Sequence, residues 1–264
     1  MGEVQLVDAH CHLDELERRG MPAEEAISAA AASGVVQMVT SGDSPAENRR
    51  ARELAEGNEA VFFTPGWHPG NGRAPSSAER RELRELLDHP RAVALGEVGL
   101  DYHRRDGGSI WDPGEQRHLL RSMLELAAEA AKPVVIHQRD AGRDLLEVLD
   151  ASPAVPTMLH CFSGGAEFAQ AAVSRKLRCS FAGNLTFRSA AQLREAVAVV
   201  PPGLLLLETD SPFLAPQPLR GRLCHPALVR LTASWLATHL GVKLEVVAEW
   251  STSTTRAFFR LPLP

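Results

Sequence analysis

Five of the chain's ten histidines stand at the ends of short apolar runs, where carboxylates also gather. His10 and His12 close "VQLVDAHCH", His68 follows "AVFFTPGWH", and Glu97 sits in "AVALGEVG". His137 lies in "PVVIHQRD", His160 in "TMLHCFSG", and Glu208 and Asp210 in "LLLLETDSP". Imidazole nitrogens and carboxylate oxygens are the donors that hold divalent cations such as Zn, Mn, Ni or, with water, Mg. Each residue alone has a plainer use. One His-x-His is weak evidence, a strand-end histidine is commonly just hydrogen-bonded, and Asp210 before Ser211-Pro212 has the look of a turn cap. Glu97 is harder to dismiss, because a carboxylate within "ALGEVGL" needs a strong partner. Unpartnered polar groups at several converging strand ends would cost roughly a few kcal/mol each, and a shared metal site removes that penalty.

Such convergence requires elements that bring distant residues to one place. Eight β-rich apolar runs alternate with segments of helical periodicity, the remaining two runs being "VVQMVTSG" and "CSFAGN". The helical segments carry their own boundary signals. Ser44 is placed to cap a helix with Pro45 at its first position, Glu47 to complete a capping box and Gly57 to end it. Asp112, Pro113 and Glu115 open a segment whose apolar stripe runs from Leu119 to Ala127, closed by Pro133. Further helices are expected near Pro22, Ser76, Gly142, Gly165, Ser189, Pro226 and Lys243. Strand–helix alternation with apolar strands predicts a parallel sheet. Eight units over 264 residues predict one domain, residues 1–264, folded as a single (β/α)8 TIM barrel. An open doubly wound sheet is the runner-up, but "DAHCHLDE" is not the Gly-rich turn that fold uses for phosphate.

A barrel gathers the C-terminal ends of its strands into one pocket. Strand alternation turns His10 and His12 the same way and hides Cys11 behind them. The same reasoning makes Cys161, beside His160, a packing residue. The other cysteines are Cys179 and Cys224, and no C-x-x-C pair exists, so neither a zinc ribbon nor a redox motif is expected. His118 and His239 fall in helical segments, while His89, His103 and His225 fall at a helix end or in loops. The formal net charge of -5 does not suit long nucleic-acid tracking, so any polyanion would be held locally. Neither a signal peptide nor a membrane span is expected, which favours a reducing cytoplasm and no membrane partner.

The blocks "DAHCHLD", "GWHPG", "GEVGLDYHR", "PVVIHQRDA", "LHCFSG" and "LLLETDSPFLAP" resemble, in order and spacing, the signature blocks of the TatD family of metal-dependent hydrolases. They run from about residue 7 to residue 216. The resemblance implies an amidohydrolase-related TIM barrel with cytoplasmic deoxyribonuclease activity, a 3′-to-5′ exonuclease on single-stranded DNA. Some relatives are proposed to deacylate D-aminoacyl-tRNA. On the family pattern two divalent metal ions would be held: one by His10, His12 and Asp210, the second by His137 and His160, with Glu97 bridging. A metal-activated hydroxide would attack the phosphodiester, with Asp210 orienting the water and accepting its proton, so Glu97 and Asp210 are the catalytic candidates. His68 would touch phosphate, and Arg139 and Arg188 are further substrate-binding candidates, although Arg139 suits a salt bridge to Asp140 or Asp144 equally well. Nucleic acid, DNA or tRNA, is then the substrate partner, and no obligate protein partner is implied. One block departs from the pattern. "RGRLCHP" carries Cys224 where the family often has Asn, beside the expected pocket. Hydrolysis of another ester or amide, and a non-catalytic binding role, remain the alternatives.

Overall fold

A computed structural model of the chain describes residues 4–103 and 111–263. Residues 1–3, 104–110 and 264, including Arg104 at the end of the third of those blocks, lie outside the described residues. Eight parallel strands follow the eight apolar runs: β1 (Leu6–Cys11), β2 (Val35–Gly42), β3 (Val61–Pro65), β4 (Leu95–Asp101), β5 (Val134–Arg139), β6 (Thr157–Leu159), β7 (Arg178–Phe181) and β8 (Leu205–Leu207). Among the described residues ten α-helices lie among and after them: α1 (Leu13–Arg18), α2 (Ala23–Ala32), α3 (Pro45–Gly57), α4 (Ser77–Leu87), α5 (Pro113–Glu129), α6 (Gly142–Asp150), α7 (Ala166–Ser174), α8 (Ala191–Val199), α9 (Val229–Leu240) and α10 (Leu244–Phe259).

Continuous ladders join β1-β2-β3 and β4-β5-β6-β7-β8 in sequence order. Two single bridges close the ring. Phe63 pairs with Ala92 between β3 and β4, and Cys11 pairs with Ser211 between β1 and the segment after β8. The fold is the (β/α)8 barrel that the alternation predicts.

Strand side chains divide between two cores with a period of two. Val61, Phe63, Val134, Ile136, Leu205 and Leu207 pack outward with the helices. Their neighbours Phe62, Val135 and Leu206 join Val7, Ala9, Val39 and Met158 in a separate apolar cluster, completed by Phe258, Phe259 and Leu261. Residues drawn from strands around the whole ring can meet only inside it, so this cluster fills the barrel interior. It leaves the C-terminal ends of the strands as the open side.

Local signals hold in part. Asp112 caps α5, its Oδ1 accepting from Glu115 N at 3.0 Å, with Pro113 in the first turn. Ser44 precedes α3 with Pro45 in the first turn, but its side chain makes no capping bond. The expected capping box fails because Glu47 instead accepts from Arg18 at 3.0 Å. The box forms at α4, where Ser76 and Glu79 bond each other's backbone.

Candidate metal centre

The pocket above the barrel is a cavity of about 920 Å³ lined from strand ends all round the ring. Side chains reach it through a register shift in β1 between Asp8 and Cys11. Val7 and Ala9 face the barrel interior. Past the shift, Cys11 packs on the helix side, its Sγ 3.4 Å from Val39 O, while His12 turns to the cavity and the fully buried His10 faces Glu97 just beneath it. Their Nε2 atoms lie 3.1 Å apart.

Glu97 stands at the centre of the cluster and is buried. Its Oε2 lies 3.5 Å from His10 Nε2 and 3.7 Å from His12 Nε2. Its Oε1 lies 2.6 Å from His137 Nδ1, 2.7 Å from His160 Nε2 and 3.5 Å from His68 Nε2. Each carboxylate oxygen thus addresses its own set of imidazoles. Asp210 Oδ1 joins the first set, 3.6 Å from His12 Nε2 and 3.9 Å from His10 Nε2. Glu97 comes this close because Gly66, at the end of β3, has no side chain. A Cβ there would overlap Glu97 N and the Gly96 carbonyl carbon. Asn48 fixes the Gly66 peptide, donating to its O and accepting from its N, both at 2.9 Å.

Burial opposes charge on Glu97, but His160, His10 and His137 hold its carboxyl well below the usual range. Burial likewise opposes an imidazolium at His12, yet Asp43, Asp210 and Glu97 prevail and its pKa is held up to about 10. Burial and the neighbouring His160 push His10 down, and its Nδ1 has no hydrogen-bond partner.

This donor set suits divalent cations. Among the described residues three triads each bring their ligand atoms within 4.8 Å of one another: His10/His160/Asp210, His10/His12/Glu97 and His68/Glu97/His137. Two imidazole nitrogens 3.1 Å apart, both aimed at one carboxylate oxygen, repel unless a proton or a cation lies between them. His68 behaves differently. Its Nδ1 accepts from Gly70 N at 2.8 Å, so the ring proton resides on Nε2 and points at the cluster. A protonated Nε2 donates a hydrogen bond and does not bind a metal.

A second layer of carboxylates, which the sequence reading left unassigned, supports the imidazoles. Asp101 Oδ2 lies 3.3 Å from His137 Nε2, and Glu208 Oε1 lies 3.4 Å from His160 Nδ1. Asp43 Oδ2 stands 3.9 Å from His12 Nδ1. Such partners fix ring orientation and tautomer. Asp101 and Glu208 had a visible signal, being acidic residues at ends of apolar runs. Asp43 carried the same signal, standing directly after "VVQMVTSG".

Cys161 is a correction. The expectation from alternation made it a packing residue, but it lines the cavity. Regular β6 ends at Leu159, and Cys161 takes a left-handed φ of 41°, so the strand period no longer applies. Its N–H donates to Glu208 Oε1 at 2.6 Å. Burial, with Asp210 and Glu208 nearby, pushes the thiol well above its usual pKa. Arg139 lines the cavity and makes no salt bridge among the described residues; Asp144 pairs with Arg117 and Asp140 with His103 instead. Arg188 is exposed and lies outside the cavity wall. Cys224 is buried beneath the end of β8, with Sγ 3.9 Å from Thr209 O and N 3.2 Å from Pro212 O. The loop there is anchored mainly through backbone.

A (β/α)8 barrel that converges five imidazoles and two acidic side chains at its strand ends defines the class: a metal-dependent hydrolase. The comparisons give the family. The sequence profile described as "TatD related DNase" matches residues 7–260. A Mycobacterium tuberculosis relative named "Uncharacterized metal-dependent hydrolase TatD" is 38% identical over 261 residues, covering 97% of this chain and 98% of that one. A Cronobacter sakazakii relative named "3'-5' ssDNA/RNA exonuclease TatD" is 35% identical over 230 residues, covering 86% of this chain and 83% of that one. The crystal structure of YJJV, a TatD homolog from Escherichia coli, superposes with a TM-score of 0.89 at 25% identity, covering 99% of this chain and 100% of that one. The chain belongs to the TatD-related DNase family of metal-dependent hydrolases.

Proposed function

We propose that this hydrolase is an exonuclease that removes nucleotides from the 3′ end of single-stranded DNA. The observation that carries this reading is the division of Glu97, one oxygen facing His10 and His12 and the other facing His137 and His160. In the proposed assignment His10, His12 and Asp210 hold one divalent cation, His137 and His160 a second, and Glu97 serves both. Cations held there supply Lewis-acid polarisation of a phosphoryl oxygen and an acidified water. The chain's own groups do the rest. His68 Nε2–H donates to a non-bridging phosphate oxygen, and Arg139 at the cavity wall adds positive charge. Asp210, bordering the cavity beside His12, orients the attacking water and takes its proton. Asp101 and Glu208 keep His137 and His160 in one orientation throughout.

The cavity volume suits a nucleotide-sized ligand. With a net charge of -5, the surface does not gather polyanions, so binding of a strand end must come from the pocket itself. The exonuclease name carried by the Cronobacter sakazakii relative supports the same substrate class. Among the described residues no helix is long and apolar enough to cross a membrane. We place the activity in the cytoplasm, where such strand ends arise.

The test is a side-by-side assay of metal-reconstituted protein on 5′-labelled single-stranded DNA and on D-aminoacyl-tRNA. The expected result is a ladder of DNA shortened from its 3′ end, with Asp210→Asn slower by about 10²–10⁴-fold while folded. Deacylation without DNA cleavage would move the proposal to the aminoacyl ester. Activity surviving complete chelation would contradict it.

A further inference from the structure

The rim of the cavity carries an aromatic side chain that the hydrolytic chemistry does not use. Phe213 lines the cavity, yet it is 41% exposed. Among the described residues the other exposed large hydrophobics are Leu219, Leu223 and Leu263, so Phe213 is the aromatic of that group.

The ring is held in place from two sides. Its backbone N donates to Asp210 O at 2.9 Å, so it follows the cluster residue Asp210 through one tight turn. Its ring meets His12 edge-on, with centroids 6.4 Å apart and planes at 73°. The Arg19 guanidinium lies 4.8 Å from the ring centroid, and Glu15 fixes that arginine with a 2.9 Å bond to its Nε. A tethered guanidinium against the ring stiffens it. His12 in turn reaches Glu97 at 3.7 Å. Phe213 thus stands one side chain away from the carboxylate–imidazole cluster, with His12 between them.

We propose that Phe213, backed by Arg19, is the platform on which the nucleobase of the bound terminal nucleotide stacks. The proposal rests on the exonuclease reading and adds what that reading lacks: a subsite for the base. Stacking accepts any base, because every base has a π face, so the subsite selects a nucleotide end without selecting its sequence.

The test reads binding, not turnover. Metal-replete protein is titrated calorimetrically with dAMP and with deoxyribose 5-phosphate, which shares the phosphate and sugar but has no base. Wild-type protein is expected to bind dAMP about 5- to 150-fold more tightly. In Phe213→Leu the two ligands should agree within about twofold, and Phe213→Trp should restore the preference. Phe213→Trp also gives a second readout, because dAMP should quench its added fluorescence while deoxyribose 5-phosphate should not. Equal affinity of the wild type for both ligands, or a base preference that survives in Phe213→Leu, overturns the proposal. Failure to cleave single-stranded DNA would instead reject the exonuclease reading, and the two outcomes are read in separate experiments.

Discussion

Asp8 should clasp the barrel at one of the two seams where its ring is joined by a single bridge. Between β1 and β8 the ladder is reduced to the Cys11–Ser211 bridge, with His12 N donating to Ser211 O at 2.8 Å and Asp210 N to His10 O at 3.0 Å. The Asp8 carboxyl, fully buried and pushed up to about 8 by that burial, adds two more links. Oδ1 accepts from Thr209 N at 2.8 Å and Oδ2 from Thr209 Oγ1 at 2.6 Å. Asp8→Ala strands two buried donors on Thr209. Each lost partner costs about 1–3 kcal/mol, so unfolding free energy should fall by about 2–6 kcal/mol. Asp8→Asn keeps an acceptor for Thr209 N. Its amide can donate to Thr209 Oγ1, so the loss should stay at about 0.5–1.5 kcal/mol, that of one neutral hydrogen bond. Urea unfolding of metal-free protein, followed by circular dichroism, measures both without linkage to bound cations. Because Thr209 adjoins Asp210, Asp8→Ala should also weaken metal binding. An Asp8→Ala protein within about 0.5 kcal/mol of wild type would refute the clasp.

Other outcomes follow from the same geometry. Gly66→Ala should displace Glu97, lowering both metal content and melting temperature, because its Cβ would overlap backbone rather than a yielding side chain. Elemental analysis and a thermal scan read this, and unchanged metal content would count against the close packing of Gly66 on Glu97. Binding of a cation should release protons at pH 7. Burial disfavours its charge, but Asp43, Asp210 and Glu97 keep metal-free His12 protonated up to about 10, and a ligand nitrogen must be neutral. Apparent affinity should therefore rise with pH from neutrality toward about 10, and calorimetry in buffers of different ionisation enthalpy should detect the released proton. His68→Gln should leave metal content intact while lowering kcat/KM on DNA about 10–100-fold, as expected when one charge-stabilising donor is misplaced. Loss of metal from that variant would make His68 a ligand instead.

Much of the site was legible because polar side chains at the ends of apolar runs are conspicuous. His10, His12, Glu97, His137, His160 and Asp210 all stand there, and the barrel brings all six together with His68. The supporting layer was harder to read. Asp8 lies inside an apolar run and Asp43 directly after one, but only the folded ring shows that one faces Thr209 and the other His12. Alternation served His10 and His12 through an irregularity that it did not foresee, the register shift in β1. It misplaced Cys161, because a strand that ends at Leu159 cannot set the direction of a residue with positive φ beyond it. Ser44 and Glu47 have the spacing of a capping box, but a neighbouring Arg18 competes for the glutamate, and such tertiary competition leaves no mark in local sequence. The six-residue α1 is too short to show a helical period at all.

The central claim is that Glu97 divides its two oxygens between two cation sites. Counting bound Mn or Zn per chain, by elemental analysis of reconstituted protein beside Glu97→Gln, tests it most directly. Two ions per wild-type chain, with at least one lost from a folded Glu97→Gln, is the predicted result. A wild type that binds no ion, or a Glu97→Gln protein that retains both, would contradict it.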